Sequence, residues 1–103
     1  MKAACCQTRL RRALERSADA AGVDLSIVHA DSVGWASATF VGARHELCLT
    51  IGASDAADIW IADLPEADLT LSGHLVADLR IVGVARDAAG SRVTIEVLTV
   101  LET

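Results

Sequence analysis

The chain has 103 residues, enough for one domain and too few for two comfortable ones. Hydrophobic residues make up 52% and charged residues 22%, so a packed interior is expected and disorder is excluded. The net charge of −5 argues against a general DNA or RNA binder, since phosphate contacts need a surplus of Lys and Arg.

No apolar run is long enough to span a bilayer, and none follows Met1 and Lys2 as a secretory leader requires. The three cysteines, Cys5, Cys6 and Cys48, are an odd number, and adjacent cysteines bridge each other only with strain. Free thiols in a reducing cytoplasm are therefore expected. Heavy use of Ala, Asp, Arg, Val and Gly matches the coding bias of GC-rich bacterial genes. Charge is uneven: Lys2, Arg9, Arg11, Arg12 and Arg16 against Glu15 give residues 1–16 a net +4, leaving −9 for the remainder.

In chain order, the first helix is predicted over residues 7–21, with residues 1–6 frayed ahead of it. Leu10, Leu14, Ala18 and Ala21 repeat at helical spacing, and Gly22 supplies the stop. Alternation then changes to period two, and Leu25, Ile27 and His29 share one side of the first strand. Two turns are expected to fold the next stretch into a three-stranded meander, one at Asp31-Ser32 and one, of type II′, at Gly42-Ala43. That register sets Phe40 opposite His45, Ala38 opposite Leu47 and Ala36 opposite Leu49.

A second helix follows. Ser54 caps it, Asp55 and Asp58 suit its positive end, Ala57, Trp60, Ile61 and Leu64 form its apolar stripe, and Pro65 ends it. Leu69 and Leu71 could add a short strand. Residues 74–87 and 91–102 make the last hairpin around Ala88-Ala89-Gly90, a three-residue loop pairing Ala85 with Val93 and Ile81 with Val97. The expected fold is a single two-layer α+β domain spanning 1–103. Two helices lie on one face of a five-stranded antiparallel sheet, or six with Leu69 and Leu71, in the order α-β-β-β-α-β-β. That order is similar to the secretion-chaperone-like fold, whose members are small, acidic and mostly dimeric. The resemblance covers element order alone, and the terminal helix typical of that fold is missing here.

With helices on one side only, the sheet's other face is left to solvent or to a partner. The predicted register places Val28, Trp35, Arg80, Val82, Val84, Leu98 and Val100 there, a set too apolar for an ordinary solvated face. Packing of this face against a second copy is the expected use, since closed dimers are the commonest assembly.

Chemistry-bearing patterns are sparse. His45-Glu46 opens like a zinc-protease H-E-x-x-H, but position 49 is Leu and the segment reads as strand. Cys5 and Cys6 alone make an incomplete soft-metal site, and no metal or cofactor is expected. His29 and His74, if their strand ends met, would bring Asp31 or Asp78 within reach as an acid–base pair. The acidic residues from Asp55 to Asp68 are spread around a helix and lack the alternation of a calcium loop. A non-catalytic homo-oligomeric binding or adaptor domain is thus the first expectation. The alternative is a small-molecule binder or minor enzyme with a pocket between helices and sheet near His29, His74 or Trp60. A partner protein recognised through the Arg-rich first helix is a third.

Overall fold

The computed structural model describes residues 2–102, with side chains from residue 5. Helix α1 spans Lys2–Ala20, β1 Leu25–Ala36, β2 Val41–Gly52, α2 Asp55–Asp63, β3 His74–Asp87 and β4 Gly90–Leu101, and a 3-10 turn at Leu64–Glu66 follows α2. Two antiparallel hairpins lie side by side, giving a four-stranded sheet in the order β1-β2-β4-β3 with both helices on one face. The element order is α-β-β-α-β-β, one strand fewer than the sequence predicts, so the likeness in element order to the secretion-chaperone-like fold does not hold.

The helices form for the expected reasons. Gly22, at φ +71°, closes α1 in a Schellman cap: Val23 N–H donates to Ala18 C=O at 2.8 Å and Gly22 N–H to Asp19 C=O at 3.1 Å. Ser54 Oγ accepts from Ala57 N–H at 2.9 Å and starts α2. The stripe of Ala57, Trp60, Ile61 and Leu64 is buried as predicted. Trp60 Nε1 donates to Ser17 Oγ at 3.0 Å, tying α2 to α1. Helix α1 begins at Lys2, ahead of the predicted residue 7, and Cys6 within its early turns is already buried. The core joins Leu10, Leu14 and Ala18 of α1 to Leu47, Leu49 and Ile51 of β2 and to Val93, Ile95 and Val97 of β4.

The expected meander is a single long hairpin. Asp31-Ser32 lies mid-strand in β1, and Gly42-Ala43 lies within β2. Gly42 lacks the positive φ that a type II′ turn needs. Its missing side chain serves closeness instead, because a Cβ there would lie 2.9 Å from the Trp35 indole and 2.0 Å from the Thr99 carbonyl oxygen. The turn falls between Ala36 and Val41, where Ser37 N–H donates to Phe40 C=O at 2.7 Å. Ser37 Oγ accepts from Phe40 N–H at 3.0 Å, so a serine does locally what a Gly-containing turn would do.

The last hairpin is also reset. Asp87 pairs with Gly90 across Ala88-Ala89, and Asp87 Oδ1 accepts from Ala89 N–H at 2.9 Å and Gly90 N–H at 3.1 Å. Bulges between Val76 and Asp78 and between Ile81 and Gly83 shift the register along β3. Ile81 therefore faces Ile95, and Ala85 faces Arg92. Leu71 makes only an isolated bridge to His74, and Leu69 packs on the core without forming a strand. The strands run 12 to 14 residues and the molecule extends 46 × 22 × 20 Å, so the sheet outruns the helices that cover it.

Candidate functional site: the uncovered sheet face and a buried polar chain

Alternation in β2 and β4 divides the sheet cleanly. Ala43, His45, Leu47, Leu49, Ile51, Val93, Ile95, Val97 and Thr99 are buried toward the helices. Their neighbours Arg44, Glu46, Cys48, Arg92, Glu96, Leu98 and Val100 point to the other side. Four cross-strand rows follow there from the pairing: His29–Cys48–Thr94–Gly83, Asp31–Glu46–Glu96–Arg80, Val33–Arg44–Leu98–Asp78 and Trp35–Gly42–Val100–Leu75.

Six of the seven predicted face residues sit on this outer side: Val28, Trp35, Arg80, Val82, Leu98 and Val100. Val28 and Val82 are the extra residues of bulges and are 56% and 48% exposed. Val84 is a correction. Downstream of the second bulge it pairs with buried Val93 and so belongs to the helix side, beyond the reach of the helices and exposed. Val33 and Leu75, which the predicted register does not place there, join the outer side as exposed apolar residues.

The face is also more charged than the predicted register makes it. Asp31 and Arg44, assigned to turn regions by that register, lie in the middle of strands and extend a band of charge across all four of them. Arg80 pairs with Glu96 and lies 3.9 Å from Asp78. His29 Nε2 lies 2.7 Å from Asp31 Oδ2. Arg44 and Glu46 make no ion pair among the described residues. An open concavity of about 460 Å³ spans this band, with Arg44, Glu46, Arg80 and Glu96 in its lining. The Trp35 indole lies over Gly42, and its Nε1 is shielded with no acceptor among the described residues.

A second constellation lies inside. Beneath α1 a polar chain crosses the sheet from β1 to β4. Gln7 Nε2 donates to Ser32 Oγ at 2.8 Å, and Ser32 Oγ lies 2.6 Å from His45 Nδ1. His45 Nε2 lies 3.0 Å from Thr99 Oγ1, to which Cys6 Sγ also donates at 3.3 Å, and Thr99 Oγ1 donates to Ala43 C=O at 3.3 Å. The ends fix the direction of the bonds they make, because an amide N–H only donates and a carbonyl oxygen only accepts. Thr99, its proton committed to the Ala43 carbonyl, accepts from His45 Nε2–H, and while the ring is neutral Ser32 donates to Nδ1. Burial, and then the charge of nearby His74, push the His45 pKa down to about 4. Burial pushes the Cys6 thiol up, the Thr99 hydrogen bond offsetting part of the shift, which makes this cysteine a poor nucleophile.

The three histidines do not converge. His29 is turned outward by the bulge at Val28, contrary to its predicted inward position, and sits on the opposite edge strand from His74. Its contact with Asp31 is more than half exposed on both sides, which gives an acid–base pair no shelter from water. His74 Nδ1 is buried without a partner among the described residues, beside Cys6 and Thr99 and against a cavity of about 20 Å³. That is room for one water. Burial and the Arg9 charge lower the His74 pKa, opposed by Glu102. Trp60 instead lines an open groove of about 590 Å³ between α1 and α2.

The Gln7–Ser32–His45–Thr99–Cys6 chain, half-buried at Gln7 and Ser32 and buried from His45 inward, is what sequence reasoning missed. Its one available signal is period two: His45 continues the inward series of Leu47, Leu49 and Ile51, so a polar ring falls at a core position. Among the described residues no group of three or more His, Cys, Asp and Glu side chains is placed to hold a metal ion, and no helix is long and apolar enough to cross a membrane. No family model matches the chain, and no curated protein or solved structure matches it.

Proposed function

We propose that the chain is a small non-catalytic binding or adaptor domain that works as a homodimer through the outer face of its sheet. The observation that carries this reading is the uncovered face itself, where Val28, Val33, Leu75 and Val82 stand exposed around a charged band. Exposed apolar residues gathered on one face mark interaction surfaces. Total accessible surface points the same way: the chain exposes 6146 Å². A compact monomer of its mass exposes about 5500 Å². Three unpaired cysteines favour a reducing cytoplasm as its setting.

A small-molecule pocket between helices and sheet draws less support, because His29, His74 and Trp60 face three different places and the cavity beside His74 is water-sized. The test is solution mass by light scattering on the wild type and on Val82→Glu. A wild-type dimer and a monomeric variant support the reading. A variant with unchanged dimer mass removes the outer face from the interface.

A further inference from the structure

The charge pattern of the outer face is complementary to itself at the centre in one orientation and repulsive there in another. Two sheets packed face to face lie about 10 Å apart with strands roughly aligned, so a two-fold axis between them runs either along the strands or across them. An axis along the strands, between β2 and β4, sets Asp31 against Arg80 of the second copy at the edges but Glu46 against Glu96, a like-charge contact at the centre of the interface. An axis across the strands, between the Asp31–Glu46–Glu96–Arg80 row and the Val33–Arg44–Leu98–Asp78 row, exchanges those rows. Glu46 then meets Arg44 of the second copy, and Arg80 meets Asp78.

Resting on the homodimer reading above, we infer that the dimer axis crosses the strands between these two rows and that reciprocal Arg44–Glu46 pairs form its polar centre. Three observations agree. Arg44 and Glu46 sit two residues apart on one side of β2, and neither has an ion-pair partner among the described residues. The same axis brings the row of Val82 onto the row of Leu75, and that of Val28 onto that of Trp35, so exposed apolar side chains of one copy cover those of the other. The area is also adequate: four strands 4.8 Å apart and rows spanning some 30 Å give roughly 600 Å² per copy, near the lower end of a stable interface.

Because the contact is reciprocal, a charge swap within one chain restores it. Sedimentation equilibrium is to be run on wild type, Arg44→Glu, Glu46→Arg, the double variant Arg44→Glu/Glu46→Arg and an equimolar mixture of the two singles. Each single variant turns two attractive contacts into repulsive ones and is expected to weaken self-association roughly tenfold or more. The double variant regains near wild-type association, and the mixture forms mixed dimers. Circular dichroism checks that each variant is folded, and the two-sided design does not depend on any one of them. Singles that associate like wild type overturn the axis, as does a double variant no better than the singles. In either case disruption by Val82→Glu leaves the face itself standing. A wild type that is monomeric at tens of micromolar overturns both inferences and leaves the face to a different protein.

Discussion

The two faces of this sheet are made by the same strands, residue by residue in alternation, yet they are opposite in character. In β4, Val93, Ile95, Val97 and Thr99 are fully or almost fully buried, while Thr94, Glu96, Leu98 and Val100 keep partial contact with solvent. The difference comes from the helices: among the described residues α1 and α2 dock on one side of the sheet only. An antiparallel sheet with one covered face should alternate apolar inward and polar outward. Here the inner face holds a buried polar chain, and the outer face holds exposed valines and a shielded indole. Each departure marks a place where packing alone does not account for the residue.

The sharpest contrast is between a leucine on each face. Leu49 is fully buried at the centre of the core, so Leu49→Ala is expected to lower unfolding stability by about 2–5 kcal/mol through lost burial and a residual cavity. Leu98→Ala on the outer face, measured by urea denaturation at concentrations too low for self-association, should cost less than about 1 kcal/mol. Equal losses would mean that the outer face is covered within one chain.

A second comparison sets the polar interior against bulk water through pH. The His45 ring has a pKa of about 4 when folded against an ordinary 6.5, so between those values the unfolded chain binds the proton and the folded chain does not. Stability is therefore full above pH 6.5 and falls as pH drops toward 4, by on the order of 3 kcal/mol for this group. His74, also lowered, adds in the same direction. Protonating His45 would force Ser32 to accept at Nδ1 while Gln7 also donates to it, leaving the Ser32 proton without an acceptor in the chain. Denaturation midpoints measured between pH 7 and pH 4.5 should slope downward in wild type and flatten in His45→Gln. A wild type with constant stability over that range would mean that the ring is already hydrated.

The sequence makes the helices and the inner face legible because their signals are local. Gly22, Ser54, Pro65 and the 57-60-61-64 stripe act on residues within one turn of themselves, and all do what their chemistry predicts. The hairpins resist because Gly42 offers two equally local readings, a turn or a close approach, and only the distant Thr99 backbone and Trp35 ring decide between them. Taking it as a turn removes Asp31 and Arg44 from the sheet and makes the outer face look more apolar than it is. Bulges at Val28 and Val82 have no sequence signature here, and each reverses the side on which later residues fall, which is why His29 and Val84 are misplaced.

The finest comparison uses two threonines on one strand. Thr99 is fully buried, accepts from Cys6, bonds His45 and donates to the Ala43 carbonyl, while Thr94 lies five residues earlier on the outer side. Valine matches threonine in shape, so Thr99→Val tests the hydroxyl with little change in packing. It leaves the His45 N–H and the Ala43 carbonyl short of a partner inside the core, with an expected cost of about 1–3 kcal/mol. Thr94→Val should change stability by less than about 0.5 kcal/mol. The Cys6 thiol supplies an independent readout. Held by Thr99 and buried, it should resist a thiol reagent in the folded wild type while exposed Cys5 reacts. In Thr99→Val that protection should weaken along with the stability, because the same hydroxyl holds the thiol and the imidazole. A variant that loses stability but keeps Cys6 fully protected would assign the cost to His45 and Ala43 alone and remove the cysteine from the chain of bonds.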